Sequence, residues 1–418
     1  MIVEFVVTAG PHAGRTFRFE EHATFLVGRS SQAHFSLPDK DPHVSRLHLL
    51  VEVNPPLCRL RDMGGLNGTV VNGRKVPQAD LQDGDRVTIG VTELTVRLHR
   101  LGPAGETATL PLPLDPGADG RRPPTAVTAS LPHHGPSTLS ESAPLVIPGY
   151  AVERELGRGG MGVVYKAAHL GTGEAVAVKT IHPHAAASAA ALTKFVREAD
   201  VVRRLDHSGV VRFRDSGVAA GAVWFAMEFV PGADAQRAAG AGLSAGRAVG
   251  WVVQALEALA HAHARGFVHR DVKPSNLLVA PGADGREVVK VADFGLARAY
   301  EASPLSGLTL TGAAGGTPAF MPPEQVLDMR SVKPAADQYA AAATLYRLLC
   351  GQNVYPSAPS VEQLFTRILQ TEPAPLSSHR PDLPPELGAA VHRALNRSPE
   401  ARHPDCLAFA TALRPFAG

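Results

Sequence analysis

The chain has 418 residues, more than one ordinary domain holds and enough for two or three that each bury a core. Its 41 Lys and Arg nearly balance 39 Asp and Glu, for a formal charge of +2, so no broad electrostatic field marks nucleic acid or an anionic membrane as the main partner. Cys58, Cys350 and Cys406 stand far apart with no C-x-x-C pair, which excludes a disulfide-framed secreted module and points to a reducing compartment.

The start, Met1-Ile2-Val3-Glu4-Phe5, lacks a basic region followed by a long apolar one, so no secretory signal is expected. The most apolar later window, Ala340 to Cys350, is bounded by Asp337 and Arg347 and falls well short of the roughly 20 residues that cross a bilayer. A soluble, cytoplasmic protein is the expectation, with neither membrane nor nucleic acid as partner.

Residues 1–100 read as short β-branched runs punctuated by Gly, Asn, Asp and Pro: Ile2 to Val7, Thr16 to Phe19, Thr24 to Val27, Leu49 to Val53, Val87 to Ile89 and Leu94 to Leu98. Such spacing predicts a β-sandwich, whose end loops can carry a site. Gly28-Arg29, Ser45-Arg46-Leu47-His48, Asn67-Gly68-Thr69, Val71-Asn72-Gly73, Asp83-Gly84-Asp85 and Ile89-Gly90 follow in order. Asn-Gly alone marks any hairpin. The ordered set resembles the forkhead-associated (FHA) domain over about residues 1 to 98. That resemblance implies that Arg29 and Ser45 bind the phosphate of phosphothreonine, that Asn67 bonds the peptide backbone, and that Arg46 adds charge. His48 is expected to brace the loops, and His43 stands where the family often has a second basic residue.

Between 101 and 146 the chain is Pro, Ala, Gly, Thr and Ser with few aromatics, too little apolar surface to offset the entropy of ordering. A flexible tether of about 45 residues is expected, with a root-mean-square span near 35 to 40 Å. Its Thr125, Thr128 and Thr138 are candidate phosphosites for the chain's own reader.

From 147 to 416 strands come first (Val163 to Ala167, Ala175 to Ile181, Val223 to Phe229) and helical patterns follow (Gly250 to Arg265, Ala335 to Leu349, Val361 to Leu369). The segregation predicts an α+β unit, a small β-rich lobe over about 147–230 ahead of a helical one over 231–416. Gly157-x-Gly159-x-x-Gly162-x-Val164 is weak alone, since dinucleotide-binding folds share it, but there the glycines open a helix. Here β-branched residues flank them and Ala175 to Ile181 reads as the returning strand, so they lie in a hairpin that brings backbone close to phosphates. Lys179 ends that strand, where an unpaired ammonium would be costly to bury.

Further on stand His269-Arg270-Asp271-Val272-Lys273-Pro274-Ser275-Asn276 and Asp293-Phe294-Gly295. They order a carboxylate, an ammonium, an amide and a second carboxylate as phosphoryl transfer from ATP requires. Together the motifs resemble the bacterial eukaryotic-like serine/threonine protein kinases, over roughly the last two thirds of the chain. The resemblance implies Asp271 as catalytic base, Lys273 on the migrating phosphoryl group, and Asn276 and Asp293 as Mg²⁺ ligands. Lys179 would contact the α- and β-phosphates and pair with Glu198 in the helical stretch Leu192 to Leu205.

For ATP, Leu156 and the glycines Gly157, Gly159 and Gly162 would cover the nucleotide, Val164, Ala177 and Leu278 would enclose adenine, and Met227 would be the gatekeeper. Glu228 to Val230 is the expected hinge and Asp234 the ribose contact. Lys273-Pro274 and Gly316-Thr317-Pro318 match the Ser/Thr branch, in which Thr317 supports Asp271 and Lys273. Glu324 is expected to pair with Arg402 despite Pro322 replacing the usual Ala, and Asp337 to brace the catalytic loop.

Arg270 beside this carboxylate cluster calls for an anionic partner. Phosphates on Thr309 and Thr311, with Ser303 and Ser306 as further hydroxyls, could supply one and order the loop. The expected function is therefore a protein Ser/Thr kinase that autophosphorylates its activation loop and whose FHA domain binds phosphothreonine partners or its own phosphosites. The alternative is a phosphopeptide-binding scaffold with an inactive kinase fold. Such a fold usually lacks one of Lys179, Asp271, Asn276 and Asp293, and all four are present.

Overall fold

A computed structural model describes residues 1–30, 33–37, 44–63, 67–101, 107–108, 146–159, 162–181, 203–219, 222–240, 242–294, 318–328 and 332–418. Outside them lie His43, Glu198, Gly295, Ser303, Ser306, Thr309, Thr311 and Thr317, and nearly all of the stretch read as a tether, with Thr125, Thr128 and Thr138.

The N-terminal unit is built from β1 (Ile2–Ala9), β2 (Thr16–Phe19), β3 (Ala23–Gly28), β4 (Phe35–Ser36), β5 (Leu49–Asn54) and β6 (Leu57–Asp62). It continues with β7 (Thr69–Val71), β8 (Arg74–Val76), β9 (Gln78–Asp80), β10 (Arg86–Ile89), β11 (Thr92–Leu101) and β12 (Thr107–Ala108). One sheet runs β2-β1-β11-β10-β7-β8 and the other β4-β3-β5-β6-β9. Alternate residues of the facing strands, among them Val3, Phe5, Phe25, Val27, Leu49, Val51, Val53 and Leu60, interdigitate as a single core. β12 pairs with Arg100 and Leu101 of β11, so the sheet reaches a short way into the stretch read as tether. β7 to β9 have three residues each and β6, Leu-Cys-Arg-Leu-Arg-Asp, has no β-branched residue, which is why the β-branched runs alone did not reveal them.

The second unit opens with an antiparallel sheet of β13 (Tyr150–Gly159), β14 (Gly162–His169), β15 (Ala175–Ile181), β16 (Phe213–Ala219) and β17 (Ala222–Glu228), in the order β13-β14-β15-β17-β16. After β18 (Ala233–Asp234) come α1 (Ala235–Ala238), α2 (Ala245–His263), β19 (Leu277–Pro281) and β20 (Glu287–Val291). The helical remainder holds α3 (Pro323–Leu327), α4 (Ala335–Cys350), α5 (Val361–Gln370), α6 (Pro385–Ala394) and α7 (Cys406–Leu413). α2 starts five residues ahead of the run that hydrophobic pattern suggests. Ser244 caps its N-terminus by accepting from the Arg247 backbone N–H at 3.2 Å, and this outweighs the poor helix propensity of Gly246 and Gly250. The alanine-rich α4 is buried on nearly every side, which lets α2 and α7 approach it closely.

The two units touch. Leu26, Leu47, Leu50 and Met63 of the sandwich belong to the same continuous apolar cluster as the helical lobe. Among the described residues, no helix is long and apolar enough to cross a membrane.

Candidate active site and phosphothreonine loops

Strand pairing settles the setting of the glycines. Gly159 opposes Gly162 across the β13–β14 hairpin, and β15 returns beside β14, as the hairpin reading requires. At Gly162 φ is +150°, and a Cβ would lie 1.7 Å from the Thr180 carbonyl oxygen, so only glycine lets these strands close. The hairpin roofs a cleft of about 310 Å³ lined by Leu156, Gly157, Val164, Ala177, Met227, Glu228 and Val230 from the sheet side. From the other side Asp234, Asn276, Leu278 and Asp293 complete the lining. Its walls are apolar and its far end is polar, which suits a flat heterocycle carrying an anionic tail.

At the polar end Lys179 Nζ lies 2.6 Å from Asp293 Oδ2. Glu198, the partner that the family resemblance implies for Lys179, lies outside the described residues; within them Lys179 pairs with Asp293. Burial would push the Asp293 carboxyl up, but the Lys179 charge and hydrogen bond, with His269 and Lys273, hold it below the ordinary carboxylate range. Asp293 sits at φ +63° and Arg270 at φ +70°, left-handed conformations that neither residue adopts without support.

That support is visible in the loop between α2 and β19. Asp337, fully buried at the start of α4, accepts from the His269 N–H (2.7 Å), the Arg270 N–H (2.7 Å) and His263 Nε2 (2.7 Å). His269 Nδ1 accepts from the Asp271 N–H at 3.2 Å, so Nε2 carries the proton and donates to the Ala292 carbonyl at 2.8 Å. The ring of Phe294 meets His269 edge-on at 4.6 Å. Asp271 is thereby fixed, and its Oδ2 receives Lys273 Nζ at 2.8 Å and Asn276 Nδ2 at 3.0 Å. Asn276 Nδ2 also donates to the Asp271 main-chain carbonyl at 2.7 Å.

Because Nδ2 of Asn276 makes both donations, Oδ1 is the atom it can offer a cation. With the Asp293 carboxylate on the same cleft, the donors are hard oxygens, as a small divalent cation requires. Among the described residues no cluster of three His, Cys, Asp or Glu side chains exists, so phosphate and water oxygens would have to complete the coordination.

Two engagements lay outside the sequence reading. Glu228 ties its carboxylate to Lys290 Nζ at 2.8 Å, anchoring the hinge to β20, and Gln325 Nε2 donates to the Arg270 carbonyl at 2.9 Å. No local pattern announces either pair, since the partners are 62 and 55 positions apart. Asp234 lines the cleft while its carboxylate caps α1 through the Arg237 N–H. Glu324 and Arg402 form the expected pair, bidentate at 2.6 and 2.8 Å.

These features have known counterparts. The protein kinase domain family model matches residues 150–409. The chain belongs to the protein kinase family. The FHA domain model matches residues 25–90 ahead of the kinase domain. Pkn1, a serine/threonine-protein kinase of Myxococcus xanthus, is 37% identical over 265 residues, covering 63% of this chain and 38% of that protein. PknJ, a serine/threonine-protein kinase of Mycobacterium tuberculosis, is 36% identical over 273 residues, 65% of this chain and 46% of its own. The chain thus spans less than half the length of these relatives. The crystal structure of the Mycobacterium tuberculosis PknI kinase domain superposes with a TM-score of 0.52 at 30% identity, covering 66% of this chain and all of that one.

At one end of the FHA sandwich the Arg29 N–H donates to the Ser45 carbonyl at 3.0 Å and the Ser30 N–H to Arg46 at 2.9 Å, which draws Arg29 and Ser45 together. Gly28 permits the approach, for a Cβ there would stand 2.2 Å from the Arg46 carbonyl oxygen. His48 is fully buried. Its Nδ1 accepts from the Ser45 N–H at 3.1 Å and its Nε2 donates to the Gly68 carbonyl at 3.2 Å, joining the Ser45 loop to the Asn67 turn. Arg46 and Asn67 are exposed beside it.

Proposed function

We propose that the chain is a protein serine/threonine kinase that transfers the γ-phosphoryl group of ATP to protein hydroxyls with Mg²⁺, and that its FHA domain binds phosphothreonine. The observation that carries this reading is the position of Asn276. It ties the base candidate Asp271 to the end of the cleft where Asp293 and Lys179 meet, so acceptor, phosphate and cation sites share one floor.

Each role follows from this chain's own atoms. Lys273 and Asn276 both engage Oδ2 of Asp271, which leaves Oδ1 to take the proton of an incoming hydroxyl. Lys273 then sits where it can neutralise charge on the transferred group, and Lys179 where it can hold the non-transferred phosphates. Asn276 Oδ1 and the Asp293 carboxylate would hold Mg²⁺, which when bound supplies positive charge against the phosphate oxygens. Val164, Ala177 and Leu278 would sandwich adenine against the hinge at Glu228 to Val230, with Met227 behind it and Asp234 at the ribose.

Thr309 and Thr311 are the proposed autophosphorylation sites, and Arg29, Ser45, Arg46 and Asn67 the proposed phosphothreonine ligands. Incubating the purified protein with Mg-ATP and mapping phosphosites by mass spectrometry tests the first set. Phosphate should appear on Ser and Thr, Thr309 and Thr311 among them, and vanish in Asp271→Asn; labelling that persists in that variant would overturn the assignment.

A further inference from the structure

The second sheet of an isolated sandwich should show water its outer face. In this chain that face is covered. Thr24, Leu26, Leu50, Glu52 and Arg61 point away from the sandwich core, and Thr24, the most exposed of them, is only 7% accessible. The cover comes from the kinase C-lobe, because Leu26 and Leu50 share a continuous apolar cluster with Val326 of α3 and Leu364 of α5. Two polar contacts fix the register. Thr24 Oγ1 donates to the Leu327 carbonyl at 3.0 Å, and Arg61 Nη1 donates to Glu362 Oε1 at 2.7 Å with both side chains largely out of solvent.

α3 faces two ways. At five residues it is too short to hold its own shape, and its last carbonyls have no partner within the helix. The FHA domain supplies one through Thr24. From the same helix Gln325 reaches the Arg270 carbonyl, one peptide before Asp271, while Glu324 is clamped by Arg402. Arg270 is held at a positive φ, a conformation set by its surroundings, so the position of α3 bears on the position of the base candidate.

We propose that the FHA domain braces the catalytic loop: docked on α3 and α5, it holds α3 where Gln325 fixes the Arg270 carbonyl, which makes Thr24 and Arg61 positioning residues for phosphoryl transfer. This rests on the kinase reading above. The nucleotide cleft takes nothing from α3 and only Ser275 and Asn276 from the end of the catalytic loop, so loss of the brace lowers kcat by a larger factor than it raises the KM for ATP.

The test uses the full chain with Thr24→Val, Thr24→Ser, Arg61→Glu and the charge swap Arg61→Glu with Glu362→Arg. Hydrogen exchange of 269–276 and 323–328 is measured beside steady-state kinetics. Thr24→Val and Arg61→Glu should speed exchange in both segments and reduce kcat by roughly threefold to tenfold, the worth of about one lost hydrogen bond. Thr24→Ser keeps the hydroxyl and the swap keeps the ion pair, so both should return toward wild type. Faster exchange in 323–328 with 269–276 and kcat unchanged would overturn the brace, as would no change in any variant. A wild-type protein without turnover would sink the kinase reading instead, and exchange would still decide whether the FHA domain steadies the loop.

Discussion

Lys179 and Asp293, 114 positions apart in the chain, meet with Nζ 2.6 Å from Oδ2. Each group serves as the other's counter-ion, and on the proposed function a nucleotide entering the cleft would share these charges. Lys179→Met and Asp293→Asn should each lower kcat by at least about a hundredfold, as removal of a charge-stabilising group does. Peptide phosphorylation assays measure this. Either variant turning over at the wild-type rate would remove its residue from the machinery.

The same pair sets an acid limb. Burial opposes ionisation of Asp293, yet the Lys179 charge and hydrogen bond, with Lys273 nearby, hold its carboxyl below the ordinary value of 3.8. A carboxyl depressed in the folded state contributes stability that is complete above the ordinary value and is lost as pH falls through the lower one. The melting-temperature gap between wild type and Asp293→Asn should therefore stay flat from about pH 8 to about pH 5 and close only below about pH 4. Differential scanning calorimetry across that range reads it.

Asn276→Ala removes the side-chain amide that ties Asp271 to the polar end of the cleft. Asp271 would lose donors at both its carbonyl and its carboxylate. A fall in kcat of about tenfold or more is expected, together with a higher requirement for Mg²⁺. Titrating the cation at saturating ATP separates the effects, because a variant with unchanged cation dependence would have lost orientation alone.

Asp337→Ala strands three donors in the interior, the N–H groups of His269 and Arg270 and Nε2 of His263. Leaving such groups without an acceptor costs about 3 kcal/mol or more, which urea unfolding monitored by tryptophan fluorescence would register. Activity should fall beyond the stability loss, since the Arg270 backbone would be released from φ +70°.

In the FHA domain Arg29→Ala should abolish binding of a phosphothreonine peptide, and Arg46→Ala, at an exposed position, should only weaken it. His48→Ala offers the sharper contrast. It leaves every proposed ligand intact but uncouples the Ser45 loop from the Gly68 carbonyl, so affinity should drop by about tenfold while an unphosphorylated peptide stays unbound. Fluorescence polarisation with paired peptides measures all three.

Reading these elements from the chain succeeded where the information was local. The Gly157 to Gly162 hairpin was legible because β-branched residues flank the glycines and the returning strand, Ala175–Ile181 with Lys179 in it, follows close behind in the chain. Pairs such as Glu228 with Lys290 and Gln325 with the Arg270 carbonyl were not, because the residues around either partner give no sign of the other. β5 shows the limit most plainly. Leu50 looks like part of the outward half of a half-buried strand, yet it is buried in one apolar cluster with Val326 and Leu364 of a lobe nearly three hundred residues away.

Sequence by itself determined the chemistry on offer: which carboxylates, ammonium groups and amides stand in phosphoryl-transfer order, and which short strands and glycines make two kinds of fold. Those follow from residue type and spacing of a few positions, where backbone sterics and periodicity act. Tertiary structure alone decided that Lys179 meets Asp293, that Gln325 reaches the Arg270 carbonyl, and that the outer FHA sheet rests on α3 and α5. These contacts join residues tens to hundreds of positions apart, and their free energy exists only once packing has excluded water around both partners.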